Sequence, residues 1–209
     1  MPFELQFASF ANFSSRGQNE ESRKSRSLCG QVKAGNSGTL ESLAVALAGH
    51  RADEIRGYIS RDRYLVPVPG SGKTSAENLW APKLICEALT GKGIGAGCLP
   101  ILKRVTGVPK SAFAKPGERP APSQHFETMA ADVDLTTPIN LTLVDDVLTK
   151  GSTVIGAALR IKEELPNAHI LVFSVFKTCN FLAEIEQCVD PSTGRIVYHQ
   201  ELDSAQRID

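Results

Sequence analysis

Residues 143–153, LVDDVLTKGST, constrain the fold of this chain more than any other stretch of its sequence. The apolar run that begins at Ile139 predicts a buried strand, and this run ends at two consecutive acids. A turn with threonine and glycine follows, and residues 151–165 then carry apolar side chains at helical spacing. Because a strand, a short turn and an amphipathic helix form one unit of an α/β fold, we expect a mostly parallel central sheet flanked by helices.

Other stretches extend this α/β pattern along the chain. Apolar runs predict strands at residues 3–10, 64–69, 96–105 and 168–176, and helical spacing predicts helices at residues 39–50 and 75–93. Residues 12–38 carry charges and serines without a periodic apolar face, so we expect a mobile loop there. Residues 106–138 have little periodicity, and we expect a flexible loop that closes over a site. Residues 181–188 predict a helix and residues 195–199 a strand.

The composition excludes several classes of function. The chain has 23 basic and 23 acidic residues, so no broad basic surface is expected and nucleic acid is not an expected partner. No stretch approaches the roughly 18 apolar residues of a membrane span, and the start of the chain lacks the pattern of a signal peptide. Five scattered cysteines without a C-x-x-C pair predict reduced thiols. We therefore expect a cytoplasmic protein without a membrane partner.

The turn after the two acids has the features of a monophosphate site. Backbone N–H groups and the positive end of the helix dipole converge at such a helix start, where anions bind. The dipole alone contributes only about 0.3–1 kcal/mol, so hydrogen bonds must supply most of the affinity. Asp145 and Asp146 can accept hydrogen bonds from sugar hydroxyls or hold Mg²⁺ through water; a simpler interpretation is that they cap the helix. The residues of the turn are Thr149, Lys150, Gly151, Ser152 and Thr153.

A second loop, VPVPGSGKT at residues 66–74, is similar to the Walker A form G-x-x-x-x-G-K-[ST]. Its first position is Pro67 instead of glycine, and Pro69 lacks an N–H for the phosphate. A P-loop nucleotide hydrolase stays an alternative, with residues 141–146 as its acidic strand. The loop still suits an anion, because glycines let backbone amides approach and a lysine supplies a cation. Its residues are Gly70, Ser71, Gly72, Lys73 and Thr74.

At residues 143–153 the chain resembles the type I phosphoribosyltransferases. Their signature is an apolar strand, two acids, two apolar residues, and a Thr/Gly-rich turn that opens a helix. The VPVP and SAE stretches, at residues 66–69 and 75–77, are similar to the ComF-like branch of that family. The resemblance covers residues 64–178. Lys150 departs from it, since many members carry a small residue at this position.

The resemblance implies a type I phosphoribosyltransferase-like fold and binding of 5-phosphoribosyl 1-pyrophosphate (PRPP) with Mg²⁺. The phosphoribosyl group would be transferred to a small nitrogen acceptor, with release of pyrophosphate. Asp145 and Asp146 would contact the ribose hydroxyls and the metal, residues 149–153 would hold the 5-phosphate, and residues 70–74 would hold the pyrophosphate. Asp146 and Lys73 are the expected catalytic residues. Lys103 and Arg104, at the stem of the flexible loop, are further expected substrate-binding residues.

The resemblance also implies a division of the chain. Residues 1–60 are expected to form an N-terminal hood or accessory region, residues 61–180 the phosphoribosyltransferase core, and residues 181–209 an extension that packs on the core. A homodimer is expected at the family level only. The alternative function is a catalytically silent PRPP- or nucleotide-binding regulator of the same fold. His125, a single histidine in the expected loop, is considered for proton transfer or for no role.

Overall fold

The computed structural model describes residues 3–75, 78–109, 119–179 and 184–209, apart from the side chains of His50 and Arg51. Its strands are β1 (Phe3–Phe13), β2 (Tyr64–Pro67), β3 (Gly97–Cys98), β4 (Leu102–Arg104), β5 (Met129–Ala131), β6 (Asn140–Leu148), β7 (His169–Thr178), β8 (Val189–His199) and β9 (Ser204–Ile208). Its α-helices are α1 (Glu20–Lys33), α2 (Ser37–Ala48), α3 (Ala81–Gly91), α4 (Pro122–Glu127) and α5 (Ser152–Glu164). Two 3₁₀ helices cover His50–Ile59 and Gln200–Leu202.

A seven-stranded sheet with the order β3-β2-β6-β7-β1-β8-β9 forms the centre of the fold. The strands from β3 to β1 are parallel, whereas β8 and β9 pair antiparallel at one edge. β4 and β5 form a separate two-stranded antiparallel ribbon. The expected α/β architecture, a mostly parallel sheet flanked by helices, is therefore confirmed.

Two apolar layers cover the two faces of the sheet. Alternate residues of a strand point to opposite faces, so Leu143 lies in one layer and Val144 in the other. The first layer includes α5 and the β4–β5 ribbon, and the second includes α1, α2 and α3. Because the parallel strands are buried on both faces, their sequences are continuous apolar runs instead of alternating ones.

The prediction of a mobile loop at residues 12–38 is wrong for most of that segment, because residues 20–33 form α1. Two serines lie on the buried face of this helix, where apolar residues are usual. Ser25 Oγ accepts a hydrogen bond from Ser14 N–H, and Ser22 Oγ accepts one from Ile185 N–H. A helix whose buried face is partly hydroxylic has no clear apolar period, so the sequence pattern does not reveal it.

Three other elements differ from expectation. The strand expected at residues 96–105 is divided at Pro100 into β3, in the main sheet, and β4, in the ribbon, because proline cannot donate to a strand ladder. The helix expected from residue 75 begins at Ala81, and Pro82 occupies its first turn. The helix expected at residues 181–188 is absent from residues 184–188, the part that is described. There, Cys188 N–H donates to Glu21 Oε2 at 2.7 Å, so the segment is bound to α1.

The prediction of a flexible loop at residues 106–138 is wrong for the part of the segment that forms α4 and β5. Residues 110–118 of the same segment lie outside the described residues. α4 packs very closely on α5. A Cβ added to Gly156 would lie 2.7 Å from Pro122 O and 2.8 Å from Phe126 N. The two helices can approach this closely only because residue 156 of α5 is a glycine, and this contact fixes the position of α4 on α5.

Two residues of α4, Ser123 and Phe126, make further contacts that hold this helix in place. Ser123 N–H donates to Asp203 Oδ1 at 3.1 Å, and Ser123 Oγ donates to Asp203 Oδ2. The Arg160 guanidinium lies 4.0 Å from the centre of the Phe126 ring, and it also donates to Phe126 O. These contacts connect α4 to α5 and to the turn before β9.

The strand order does not follow the expected division of the chain at residues 60 and 180. β1, from the expected hood, lies between β7 and β8 in the main sheet. β8 and β9, from the expected extension, continue the same sheet beyond β1. All three segments therefore contribute strands to one sheet.

Two further observations concern the helices and the thiols. Within the described ranges, no helix combines the length and the apolar character needed to cross a bilayer. The cysteines are free, and Cys29, Cys86 and Cys188 are buried.

Candidate functional site

The sheet topology places a crevice at the carboxyl ends of β2 and β6. β2 leads through α3 to β3 on one side, whereas β6 leads through α5 to β7 on the other side. Where the strand order reverses in this way, the two connections separate, and open α/β sheets bind ligands in the resulting crevice. Both loops singled out in the sequence, at residues 70–74 and 149–153, follow these two strand ends. Val68 N–H donates to Val144 O at 2.9 Å, and this hydrogen bond keeps the start of the first loop beside β6.

The turn before α5 begins with a left-handed glycine. Gly151 has a φ of 96°, and a Cβ there would lie 2.6 Å from Ile196 Cγ2, so both conformation and space require glycine. The first helical hydrogen bond runs from Ile155 N–H to Gly151 O, which leaves the N–H groups of residues 152–154 without helical acceptors. The half-buried or exposed hydroxyl and amino groups around them belong to Thr149, Lys150, Ser152 and Thr153.

Asp145 and Asp146 lie inside β6 and not beyond its end, because the strand continues to Leu148. Asp145 Oδ1 accepts from Asp146 N–H at 2.9 Å, and Asp146 Oδ1 accepts from Val147 N–H at 2.8 Å. Burial raises the pKa of Asp145 well above its usual range, and the Asp146 carboxylate adds to the rise. A cation or hydrogen-bond donors beside Asp145 would therefore stabilise its ionised form.

Lys33, the last residue of α1, lies beside these acids, which the sequence pattern does not indicate. Its Nζ lies 3.5 Å from Asp146 Oδ2. Burial opposes the charge of Lys33, but the neighbouring acids, Asp146 first, outweigh it and raise the pKa of the lysine. No motif signal could have found Lys33, because it belongs to the segment expected to be a mobile loop.

Ser174 of β7 is a second residue beside the acids. It is the register partner of Asp145, and parallel partners direct their side chains to the same face. Its Oγ is buried and has no hydrogen-bond partner among the described residues. An unpaired buried hydroxyl costs stability, and here it lies on the same face of the sheet as Asp145.

The first loop is fastened to β4 and the residues after it. Thr74 N–H donates to Arg104 O at 3.0 Å, and Arg104 N–H donates to Thr74 Oγ1 at 2.8 Å. Val108 N–H donates to Ser71 O at 2.8 Å. The loop is thus held at Ser71 and Thr74, while Gly72 and Lys73 between them stay exposed, as does Gly70 before them. Lys73 forms no ion pair with any described residue, so its charge is available to an anion.

Arg104, expected to bind substrate, is only 1% exposed and contacts protein groups. Its guanidinium donates to Gly70 O, to Thr128 Oγ1 at 2.6 Å and to His125 Nδ1 at 3.2 Å. Burial lowers the pKa of Arg104 to about 10, although nearby Asp145 opposes the change. Arg104 therefore supports the first loop from inside the protein. Lys103, in contrast, is exposed, and its Nζ lies 3.6 Å from Asp132 Oδ2.

His125, on α4, lies between the two loops and is 3% exposed. Its Nδ1 faces Arg104, and its Nε2 lies 3.4 Å from Thr153 Oγ1. Burial, with a further contribution from the Arg104 cation, lowers the pKa of His125 to about 4. The ring is therefore neutral at neutral pH. Arg104 and His125 together form a buried connection from Gly70 in the first loop to Thr153 in the second.

Asp145 and Asp146 are the residues that could hold Mg²⁺. Over the described ranges, no group of three or more His, Cys, Asp or Glu side chains is placed to hold a metal ion by itself. Mg²⁺ usually binds through one or two carboxylates, while waters and substrate phosphates complete its shell. Because both residues lie inside β6, their carboxylates point to opposite faces of the sheet, and each could contribute to such a shell only singly. Lys33 already neutralises part of their charge, so a metal ion would compete with the lysine.

Two concavities lie away from the crevice, near the amino ends of the strands. One, of about 550 Å³, is lined by the first residues of β1, β6 and β7 together with Arg63. The other, of about 380 Å³, lies between β1, β8 and Tyr58. Neither is lined by a predicted site residue. Arg63 donates there to His169 O at 2.7 Å and to Thr142 Oγ1 at 2.9 Å, so it joins strand ends and is not free for a ligand.

The crevice thus combines two loops suited to anions, an acid pair and a buried guanidinium–imidazole connection. Chemically, this arrangement suits a ligand that carries phosphate groups at both ends and hydroxyl groups between them. No protein-family model matches this chain, and no curated protein matches it either.

Proposed function

We propose that the protein is a Mg²⁺-dependent phosphoribosyltransferase with a type I phosphoribosyltransferase fold. The observation that carries the proposal is the crevice between β2 and β6, where the two loops flank Asp145 and Asp146. PRPP has phosphate groups at both ends and ribose hydroxyls between them, so a single ligand would engage all three parts. The resemblance of residues 143–153 to the family signature supports the same reading.

In this proposal each part of the crevice binds one part of PRPP. Residues 149–153 bind the 5-phosphate through the N–H groups at the start of α5 and through their hydroxyls. Asp145 and Asp146 accept hydrogen bonds from the ribose hydroxyls, which would stabilise the ionised form of Asp145. Residues 70–74 bind the pyrophosphate, with Lys73 as the cation.

The transfer breaks the bond between ribose C1 and a pyrophosphate oxygen, and the electron pair leaves with pyrophosphate. A small nitrogen acceptor attacks C1 from the opposite face, and Asp146 accepts the proton that this nitrogen loses. When bound, Mg²⁺ supplies positive charge that stabilises the departing pyrophosphate. Lys73 adds a second positive charge at the same group.

The proposal is tested by titrating PRPP with Mg²⁺ in a calorimeter and by measuring pyrophosphate release with a panel of bases and ammonia. Asp145→Asn combined with Asp146→Asn is expected to weaken PRPP binding by about 100-fold or more, because hydrogen bonds to charged groups are lost at two positions. Asp62→Asn, an exposed acid before β2 at the opposite edge of the sheet, is the control and should bind PRPP normally. Unchanged PRPP affinity in the double variant would exclude the assigned ribose site.

A binding protein without transfer activity is the second candidate. It is favoured by one observation: α4 and β5, in the segment expected to close over the site, are packed on α5 and β4. A transferase must exclude water from the reacting centre, because hydrolysis of PRPP would compete with transfer. PRPP binding without pyrophosphate release for any acceptor would support this candidate over the enzyme.

A further inference from the structure

Arg104, His125 and Thr153 form a hydrogen-bonded chain that ends at the turn before α5. The Arg104 guanidinium and the His125 ring are 1% and 3% exposed, respectively, whereas Thr153 is half-buried at the first turn of α5. The chain therefore runs from the protein interior to the proposed phosphate site. Its two contacts measure 3.2 Å and 3.4 Å.

The direction of each hydrogen bond in this chain follows from the chemistry of its members. A guanidinium has only donors, so the ring nitrogen that faces Arg104, Nδ1, must accept. A neutral imidazole carries one proton, and that proton must then lie on Nε2. Nε2 faces Thr153, so the ring donates to Thr153 Oγ1.

The hydroxyl of Thr153 is left with its own proton to donate. A hydroxyl oxygen that accepts one hydrogen bond keeps its single O–H as a donor. Among the residues that the structure describes, Thr153 Oγ1 has no other hydrogen-bond partner. Its proton is therefore directed away from His125, and an anion bound at the start of α5 could accept it.

We infer that His125 is a positioning residue, which orients the Thr153 hydroxyl as a donor to the 5-phosphate. Without the imidazole, the hydroxyl could rotate and present its lone pairs to the phosphate instead of its proton. The inference rests on the proposed function, because it assumes a phosphate at the start of α5. It assigns His125 a role through Thr153 and not a proton-transfer step of its own.

The packing of α4 keeps the imidazole in place. A Cβ on Gly156 would lie 2.5 Å from His125 Cβ, so the backbone of the histidine rests directly on α5. Thr128 Oγ1 accepts from the other end of the Arg104 guanidinium at 2.6 Å, which fixes that guanidinium relative to α4. The imidazole therefore has little freedom to turn away from Thr153.

The first test measures the tautomer of His125 in the wild-type protein. Nitrogen-15 NMR of the ring nitrogens distinguishes protonated from unprotonated positions, and the His125→Asn variant identifies the His125 signals. We expect a proton on Nε2 and none on Nδ1 at neutral pH. A proton on Nδ1 would overturn the inference, because Nδ1 could not then accept from Arg104.

The second test is a double-variant cycle with ribose 5-phosphate as the probe. His125→Asn keeps an acceptor near Nδ1 for Arg104 but cannot reach Thr153, and Thr153→Val removes the hydroxyl alone. We expect Thr153→Val to weaken binding about 10-fold, His125→Asn to weaken it in the same direction, and the double variant to bind no worse than Thr153→Val. Thr90→Val removes a hydroxyl that donates only to carbonyl groups of its own helix, α3; it is the control and should stay within about 2-fold of wild type.

Each outcome of the cycle has a distinct meaning. Equal binding by wild type and His125→Asn would overturn the inference, and so would a His125→Asn loss that persists in the Thr153→Val background. If His125→Asn fails to fold, wild-type affinity in Thr153→Val would overturn the inference by itself. If wild type binds neither ribose 5-phosphate nor PRPP, the proposed function fails, whereas the tautomer measurement still reports on the chain of hydrogen bonds.

Discussion

Acidification should destabilise this protein through His125, and the size of the effect can be worked out from the structure. The pKa of His125 is lowered from 6.5 to about 4 by burial and by the Arg104 cation. Between these two values the unfolded chain binds a proton that the folded protein excludes. Stability is therefore fully present above pH 6.5 and is lost as the pH falls toward 4. Between pH 7.5 and 4.5 the loss amounts to roughly 2–3 kcal/mol.

The assay is urea denaturation of the wild type and of His125→Asn at pH 7.5 and at pH 4.5. Asparagine does not titrate, so the variant reports the contribution of every other group, including Asp145, whose raised pKa acts in the opposite direction. We expect the wild type to lose roughly 2–3 kcal/mol more than the variant over this range. A difference below about 0.5 kcal/mol would show that His125 is not buried against a cation, and it would refute the reasoning.

Two further predictions concern the packing of α4 and the charge of the first loop. Gly156→Ala should lower the free energy of unfolding by about 1–3 kcal/mol, because its methyl group would displace α4. The control is Gly30→Ala on the exposed side of α1, where an added Cβ would have nothing within 4 Å; it should be neutral or slightly stabilising. Equal stabilities of the two variants in urea denaturation would contradict the close contact between α4 and α5. Lys73→Ala should weaken PRPP binding about 10-fold and ribose 5-phosphate binding by less than about 2-fold, since only PRPP carries the pyrophosphate. The control is Lys92→Ala, which removes a lysine paired with Glu41, and equal losses for both ligands would remove Lys73 from the site.

The elements with strong apolar patterns could be predicted from the sequence. β6, α5 and β7 lie where the apolar runs and helical spacing indicate, because burial on both faces leaves an unmistakable composition. α1 could not be predicted in this way. Its buried Ser22 accepts from Ile185 N–H, which is distant in the chain, and its buried Ser25 accepts from Ser14 N–H before the helix; such contacts leave no apolar period in the sequence.

The same distinction holds for the candidate site. The two loops and the acid pair can be read from short motifs, because the residues that form them are adjacent in the sequence. Lys33, Arg104 and His125 come together only in the folded chain, and their roles depend on burial and on hydrogen-bond direction. Arg104 illustrates the difficulty. In the sequence it is one more cation beside a loop, whereas in the structure its guanidinium is buried and donates to Gly70 O and His125 Nδ1.

The position of β1 has a consequence for the synthesis of this protein. Phe7 of β1 pairs with Val172 on one side and with Gly194 on the other, so neither neighbour exists when the ribosome has just released β1. For most of translation the nascent chain therefore carries an apolar strand with both hydrogen-bonding edges open, which is the kind of segment that associates with other chains. Both edges of β1 can be paired only after translation has passed β8.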